Sequence, residues 1–171
     1  MFQVGDLVMY GGTGVCRVKD MTETDFDGRI TETLYYILEP IYQSGLIYVP
    51  ADNQKVFMRP VISREEAIRL IDSMPETDSK VFRSSSTQQL SKHYQEVIQS
   101  HDTTELIRMT KSIHKKKRNA LKQNRRLGQI DKKYMKLAED LLFGELACAL
   151  DIPRDQVESY IEDRLGKDPL K

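Results

Sequence analysis

The feature that most restricts this chain is a change of hydrophobic period at Ser63. Before it, apolar residues alternate in short runs broken by Gly, Pro and Asp-Gly; after it, they return every three or four positions. The first pattern belongs to strands and the second to amphipathic helices. GDLVMY leads into Gly11-Gly12-Thr13-Gly14, a turn whose glycines can take positive φ. VCRVKDM alternates Cys16 and Val18 with Arg17 and Lys19, and Asp27-Gly28 marks a tight hairpin. ITETLYYILEP and GLIYVPAD are rich in β-branched and aromatic residues, each with a proline near its end. Five short strands in the first sixty residues predict a small, strongly bent antiparallel sheet or partly open barrel. Such a sheet keeps at least one free edge.

Ser63 and Glu66 have capping-box spacing, and Ala67, Ile68 and Ile71 supply an apolar face as far as Met74-Pro75. This helix is expected to connect the two halves. The Ser/Thr-rich stretch 76–89 reads as a loop. Helices are predicted over about 88–100, with Leu90, Tyr94, Val97 and Ile98 inward, and from Asp102 into a basic stretch. A third runs from Asp131 to about Leu150, with Tyr134, Ala138, Leu141, Leu142 and Leu146 on one side; Pro153 opens the last. The fold class expected is α+β: an all-β domain over 1–62, a connecting helix over 63–75 and an all-helical domain over 76–171.

Charge adds the first functional signal. The chain carries 26 basic and 26 acidic residues, yet residues 111–136 hold eleven Lys/Arg against one acid, Asp131. This polarity suits a polyanion on one face. At about 100° per residue, Lys111, Lys115, Arg118, Lys122, Arg125 and Arg126 fall within about 60° of one direction. Leu106, Met109, Ile113, Ala120 and Leu127 lie within about 40° of the opposite one. The pattern predicts a basic stripe backed by an apolar stripe. Aligned cations suit a phosphate backbone, with salt-sensitive affinity. Nothing in the stretch resembles a base-reading helix or a zinc finger. A membrane-surface helix is the weaker alternative, because Trp or Phe anchors are missing from its apolar face.

No catalytic constellation emerges. His93, His101 and His114 have no ligand spacing, and the Gly11–Gly14 turn lacks the Lys-Ser/Thr of a phosphate loop and runs into a strand. Glu65-Glu66 and Glu139-Asp140 are helical neighbours that point apart. Cys16 and Cys148 read as buried thiols rather than a disulfide or metal pair. No metal, cofactor or small-molecule substrate is expected. No run reaches the ~20 apolar residues of a membrane span, and MFQVGD is unlike a signal peptide, so a cytoplasmic protein is expected.

The string F-x-V-G-D-x-V-x-Y-x-x-x-G-V, with Gly28, Tyr35-Tyr36-Ile37-Leu38 and Ile47-Tyr48-Val49-Pro50, resembles the CarD/CdnL family of bacterial transcription factors. It is also similar to the polymerase-interacting domain of the transcription-repair coupling factor. The resemblance continues from Asp131-Lys132-Lys133-Tyr134-Met135 to Leu142-Phe143-Gly144-Glu145-Leu146-Ala147. It implies a Tudor-like or SH3-like N-terminal domain docked by a strand edge on the RNA polymerase β subunit. Helical DNA binding at promoter DNA, near the upstream edge of the transcription bubble, would follow.

By position, the polymerase-contacting strand falls on Leu46, Ile47, Tyr48, Val49 and Pro50. A family Arg contact falls on Tyr48, and another contact falls near Thr24. The family's DNA-wedging Trp aligns near Thr87, and this chain contains no tryptophan. Two basic DNA contacts carry over to Lys92 and Lys132. The segment between them is longer than usual, and the addition lies in the Lys/Arg-rich part. Extra phosphate contacts there are expected to replace part of the wedge. Two other readings stand beside this one: an adaptor whose helices recruit a protein or RNA, and a nucleic-acid-processing enzyme with an unrecognised site.

Overall fold

A computed structural model describes residues 1–53 and 55–171. The chain divides into two compact units, residues 1–61 and 62–171.

The first unit is an antiparallel five-stranded sheet. Its strands are β1 (Leu7–Tyr10), β2 (Gly14–Thr24), β3 (Ile30–Pro40), β4 (Ile47–Pro50) and β5 (Met58–Pro60). Their spatial order is β4-β3-β2-β1-β5, so β4 and β5 are the edges. Alternation decides which side chains are inside: Val8, Cys16, Val18, Tyr36, Leu38 and Val49 form the core. Two register shifts, one with its extra residue in β2 between Val18 and Asp20 and one with its extra residues in β3 opposite Thr22–Thr24, bend the long β2–β3 pair. The expected turns are present. Gly11–Thr13 is a single 3-10 turn, and Gly11 has φ +45 with a Cβ position only 2.8 Å from Val56 Cγ1. A larger residue there meets both backbone strain and a clash.

The second unit contains α1 (Arg64–Ser73), α2 (Thr87–Ser100), α3 (Thr103–Lys122), α4 (Gln129–Leu150) and α5 (Val157–Leu165). The Ser63–Glu66 capping box forms in full. Segment 63–75, expected as a connector, instead contributes Ala67, Ile71 and Met74 to the core of this unit. They pack with Ile107, Leu142, Leu146, Leu150, Val157 and Ile161, and α4 is the most buried helix because apolar residues surround its second half. Glu145, on α4, accepts the Ile62 N–H at 3.1 Å. Pro153 precedes a 3-10 turn, Arg154–Gln156, and α5 begins only at Val157. Of the two thiols expected to be buried, Cys16 is, while Cys148 is only half-buried.

Candidate functional site

The first candidate is the β4 edge. β4 pairs with β3 in the register Tyr35↔Pro50, Tyr36↔Val49, Ile37↔Tyr48 and Leu38↔Ile47. The Ala51 N–H donates to Leu34 O at 2.8 Å in the same register. Antiparallel bonding alternates, so Ile47 and Val49 also bond inward to β3, and the N–H and C=O of Tyr48 point to the open side. The side chains divide differently. Val49 is 2 % exposed in the core and Ile47 packs against it, so neither offers its side chain to a partner. Tyr48 and Pro50 are half-buried, and Leu46, just outside the strand, is 48 % exposed. Of the residues expected to touch the polymerase by position, Val49 therefore offers neither its side chain nor its main-chain N–H and C=O, which bond to β3. Thr24 lies opposite Ile30, five residues along β3 from Tyr35. On β2, however, Thr24 is only two residues past Thr22, which is opposite Tyr35, the partner of Pro50, so Thr24 lies about 7 Å beyond the Pro50 end of β4, two strands across.

The second candidate is the basic part of the helical unit. The stripe predicted from Lys111 to Arg126 is shorter than expected. Helix α3 stops at Lys122, where Asn124 takes the left-handed conformation (φ 55) and the Arg125 N–H returns to Ala120 O. Arg125 and Arg126 are exposed, but on the turn rather than on the helix, and Leu127 is buried beyond the helix end. Lys111 is also corrected. Its Nζ donates to Met74 O at 2.8 Å and to Thr77 O, closing the end of α1, and desolvation pushes its pKa down. Lys115, Arg118 and Lys122 remain exposed on one face of α3. Thr87 is the exposed first residue of α2, behind the Ser86 cap, and Lys92 and Lys132 are exposed on α2 and α4.

One basic residue of the stretch does something the sequence reading missed. Lys116 is buried, and its Nζ donates to Asp131 Oδ1 at 2.8 Å, Phe82 O at 3.1 Å and Tyr94 Oη at 3.3 Å. The Tyr94 hydroxyl donates to the same Asp131 oxygen at 2.5 Å. Burial, with the Asp131 hydrogen bond second, pushes the Tyr94 phenol well above its ordinary value. This charge-neutral junction ties α2, α3 and α4 together, and Tyr134 Oη donates to Gln95 Oε1 beside it at 3.2 Å. Lys92 and Lys132 are each within two residues of it. A signal existed: on the helical wheel Lys116 falls with the apolar stripe, about 40° from its centre.

His114 is a second omission. Its ring Nε2 meets Glu139 Oε1 at 2.7 Å. His93 stacks on Phe82 with centroids 3.9 Å apart. Glu105 and Arg108, in the cleft of about 230 Å³ beside that stack, are paired with each other. Among the described residues no His, Cys, Asp or Glu cluster could hold a metal, and no helix is long and apolar enough to cross a membrane.

Comparison with known proteins bears on the sheet alone. Residues 2–62 match the family model of the CarD-like/TRCF RID domain, an RNA polymerase-interacting domain. No curated protein matches the chain.

Proposed function

We propose that this chain, whose N-terminal sheet is a CarD-like/TRCF RNA polymerase-interacting domain, regulates transcription initiation without catalysing a reaction. The sheet docks on the polymerase β subunit by adding its β4 edge to a strand of the partner, and the helical unit holds promoter DNA by its phosphate backbone. The observation that carries the reading is the match over residues 2–62, joined to a helical unit that exposes Lys115, Arg118 and Lys122 on one helix face. Strand addition draws affinity from main-chain hydrogen bonds, which explains how Tyr48 can stand where the family has Arg. Docking also raises the local concentration of the cations at DNA, so modest phosphate affinity suffices.

The second reading, an adaptor that recruits a protein or RNA, draws on the absence of tryptophan at the helical N-terminus near Thr87. Co-purification with RNA polymerase tests the docking half. Tyr48→Pro removes the outward N–H and is tolerated at an edge, whereas Ile47→Pro removes a bond to β3 and disturbs the sheet itself. Loss of polymerase by a folded Tyr48→Pro protein is expected; undiminished recovery would rule out β4 addition. Retention of upstream-fork promoter DNA by wild type, and its loss on charge reversal of Lys115, Arg118 and Lys122, separates the two readings.

A further inference from the structure

Beside the turn between α3 and α4 lies a half-open cavity of about 240 Å³ that the functional reading above does not use. Arg83, Arg125 and Arg126 line it, and none of these exposed guanidiniums forms an ion pair among the described residues. Lys116 and Asp131 form the inner wall, but they neutralise each other at 2.8 Å. The lining therefore carries a net charge of about +3, all of it on arginines without carboxylate partners. Helix α4 begins on the same cavity at Gly128, with no side chain capping its first amides, which adds positive potential there.

We propose that this cavity binds a phosphate group carrying at least two negative charges: the pyrophosphate moiety of a small molecule or the 5′-terminal phosphate of a nucleic acid strand. Charge separates this ligand from duplex backbone, whose diester carries one charge and is met by exposed lysines on α3. Size points the same way. Sites for whole drug-sized ligands span about 300–1,000 Å³, and this cavity is smaller, so it fits the anionic group rather than an entire nucleotide. Arginine is the side chain whose planar fork takes phosphate oxygens in pairs. The Lys116–Asp131 contact supplies a rigid, neutral back to the site, leaving the arginines free for the ligand. The proposal is independent of the promoter-DNA reading.

The test is calorimetric titration of the full chain at low salt with inorganic pyrophosphate and with inorganic phosphate. Competition by one duplex, prepared with a 5′-phosphate or a 5′-hydroxyl, follows. Saturable pyrophosphate binding is expected, and Arg83→Gln and Arg126→Gln each weaken it about tenfold, the worth of one charge-assisted contact. Lys117→Gln, exposed on α3 away from the cavity, leaves it unchanged. Both arginines are exposed, so their removal does not unfold the unit, and matching thermal melts verify this. Displacement of pyrophosphate by the 5′-phosphorylated duplex alone assigns the group to a strand end; displacement by neither duplex assigns it to a small molecule. Absence of saturable pyrophosphate binding overturns the proposal, as does equal affinity in wild type and both arginine variants.

Discussion

Replacing Lys116 by Met removes the central cation of the α2–α3–α4 junction while nearly conserving volume. The side chains of Lys116 and Asp131 are 8 % and 9 % exposed, so the pair is buried from solvent. Lys116→Met leaves the Asp131 carboxylate with the Tyr94 hydroxyl alone and strips the Phe82 carbonyl of its donor. Loss of one partner of a buried pair places the cost at about 4 kcal/mol. Asp131→Leu leaves the ammonium with two neutral acceptors and costs about 3 kcal/mol. The double variant has no buried charge, but the Tyr94 hydroxyl and Phe82 carbonyl each lose a partner at about 2 kcal/mol, so it costs about 4 kcal/mol.

The two sites are therefore strongly non-additive, with a coupling of about 3 kcal/mol. Urea unfolding followed by far-UV circular dichroism measures all three, and the slope of stability against denaturant stays unchanged if only the folded junction is altered. On heating, Lys116→Met melts roughly 8–16 °C lower. Lys115→Met, one residue away and exposed, changes stability by less than about 0.5 kcal/mol. A cost below about 1 kcal/mol for Lys116→Met, the value of a solvated surface pair, refutes the reasoning. So does simple additivity of the two single variants.

Two further outcomes are expected. If Lys115, Arg118 and Lys122 each neutralise one DNA phosphate, every Lys/Arg→Gln change flattens the dependence of log affinity on log salt by about 0.9, in a salt titration of duplex binding; Lys111→Gln, whose ammonium closes α1, leaves that slope alone. Tyr94 supplies the pH dependence. Its folded pKa lies above the ordinary value of 10.0, so the unfolded chain releases the phenolic proton first, and stability present below pH 10 is lost as pH rises beyond it. Tyr94→Phe removes that part of the alkaline slope in urea midpoints measured on either side of pH 10, and an unchanged slope counts against burial of the phenol.

The sequence by itself determined the order of the two units, the identity of the strands and helices, and several of their ends. These follow from short-range rules: alternation in β2 and β3, the Asp27-Gly28 turn, the Ser63–Glu66 box and the apolar side of α4. The strand motif also identified the polymerase-interacting domain, because turn glycines and core alternation leave a recognisable string. Only tertiary structure decided the functional surface. A lysine has the same letter whether it meets solvent, as Lys115 does, closes a neighbouring helix, as Lys111 does, or neutralises a buried aspartate, as Lys116 does. Its fate depends on the acceptors that distant segments bring to it: Thr77, Phe82 and Asp131 lie 34, 34 and 15 residues away along the chain. The same holds at the sheet edge. The strand was legible from its residues, but that Tyr48 rather than Ile47 turns its N–H outward depends on the register with β3, which a slip of one residue would reverse.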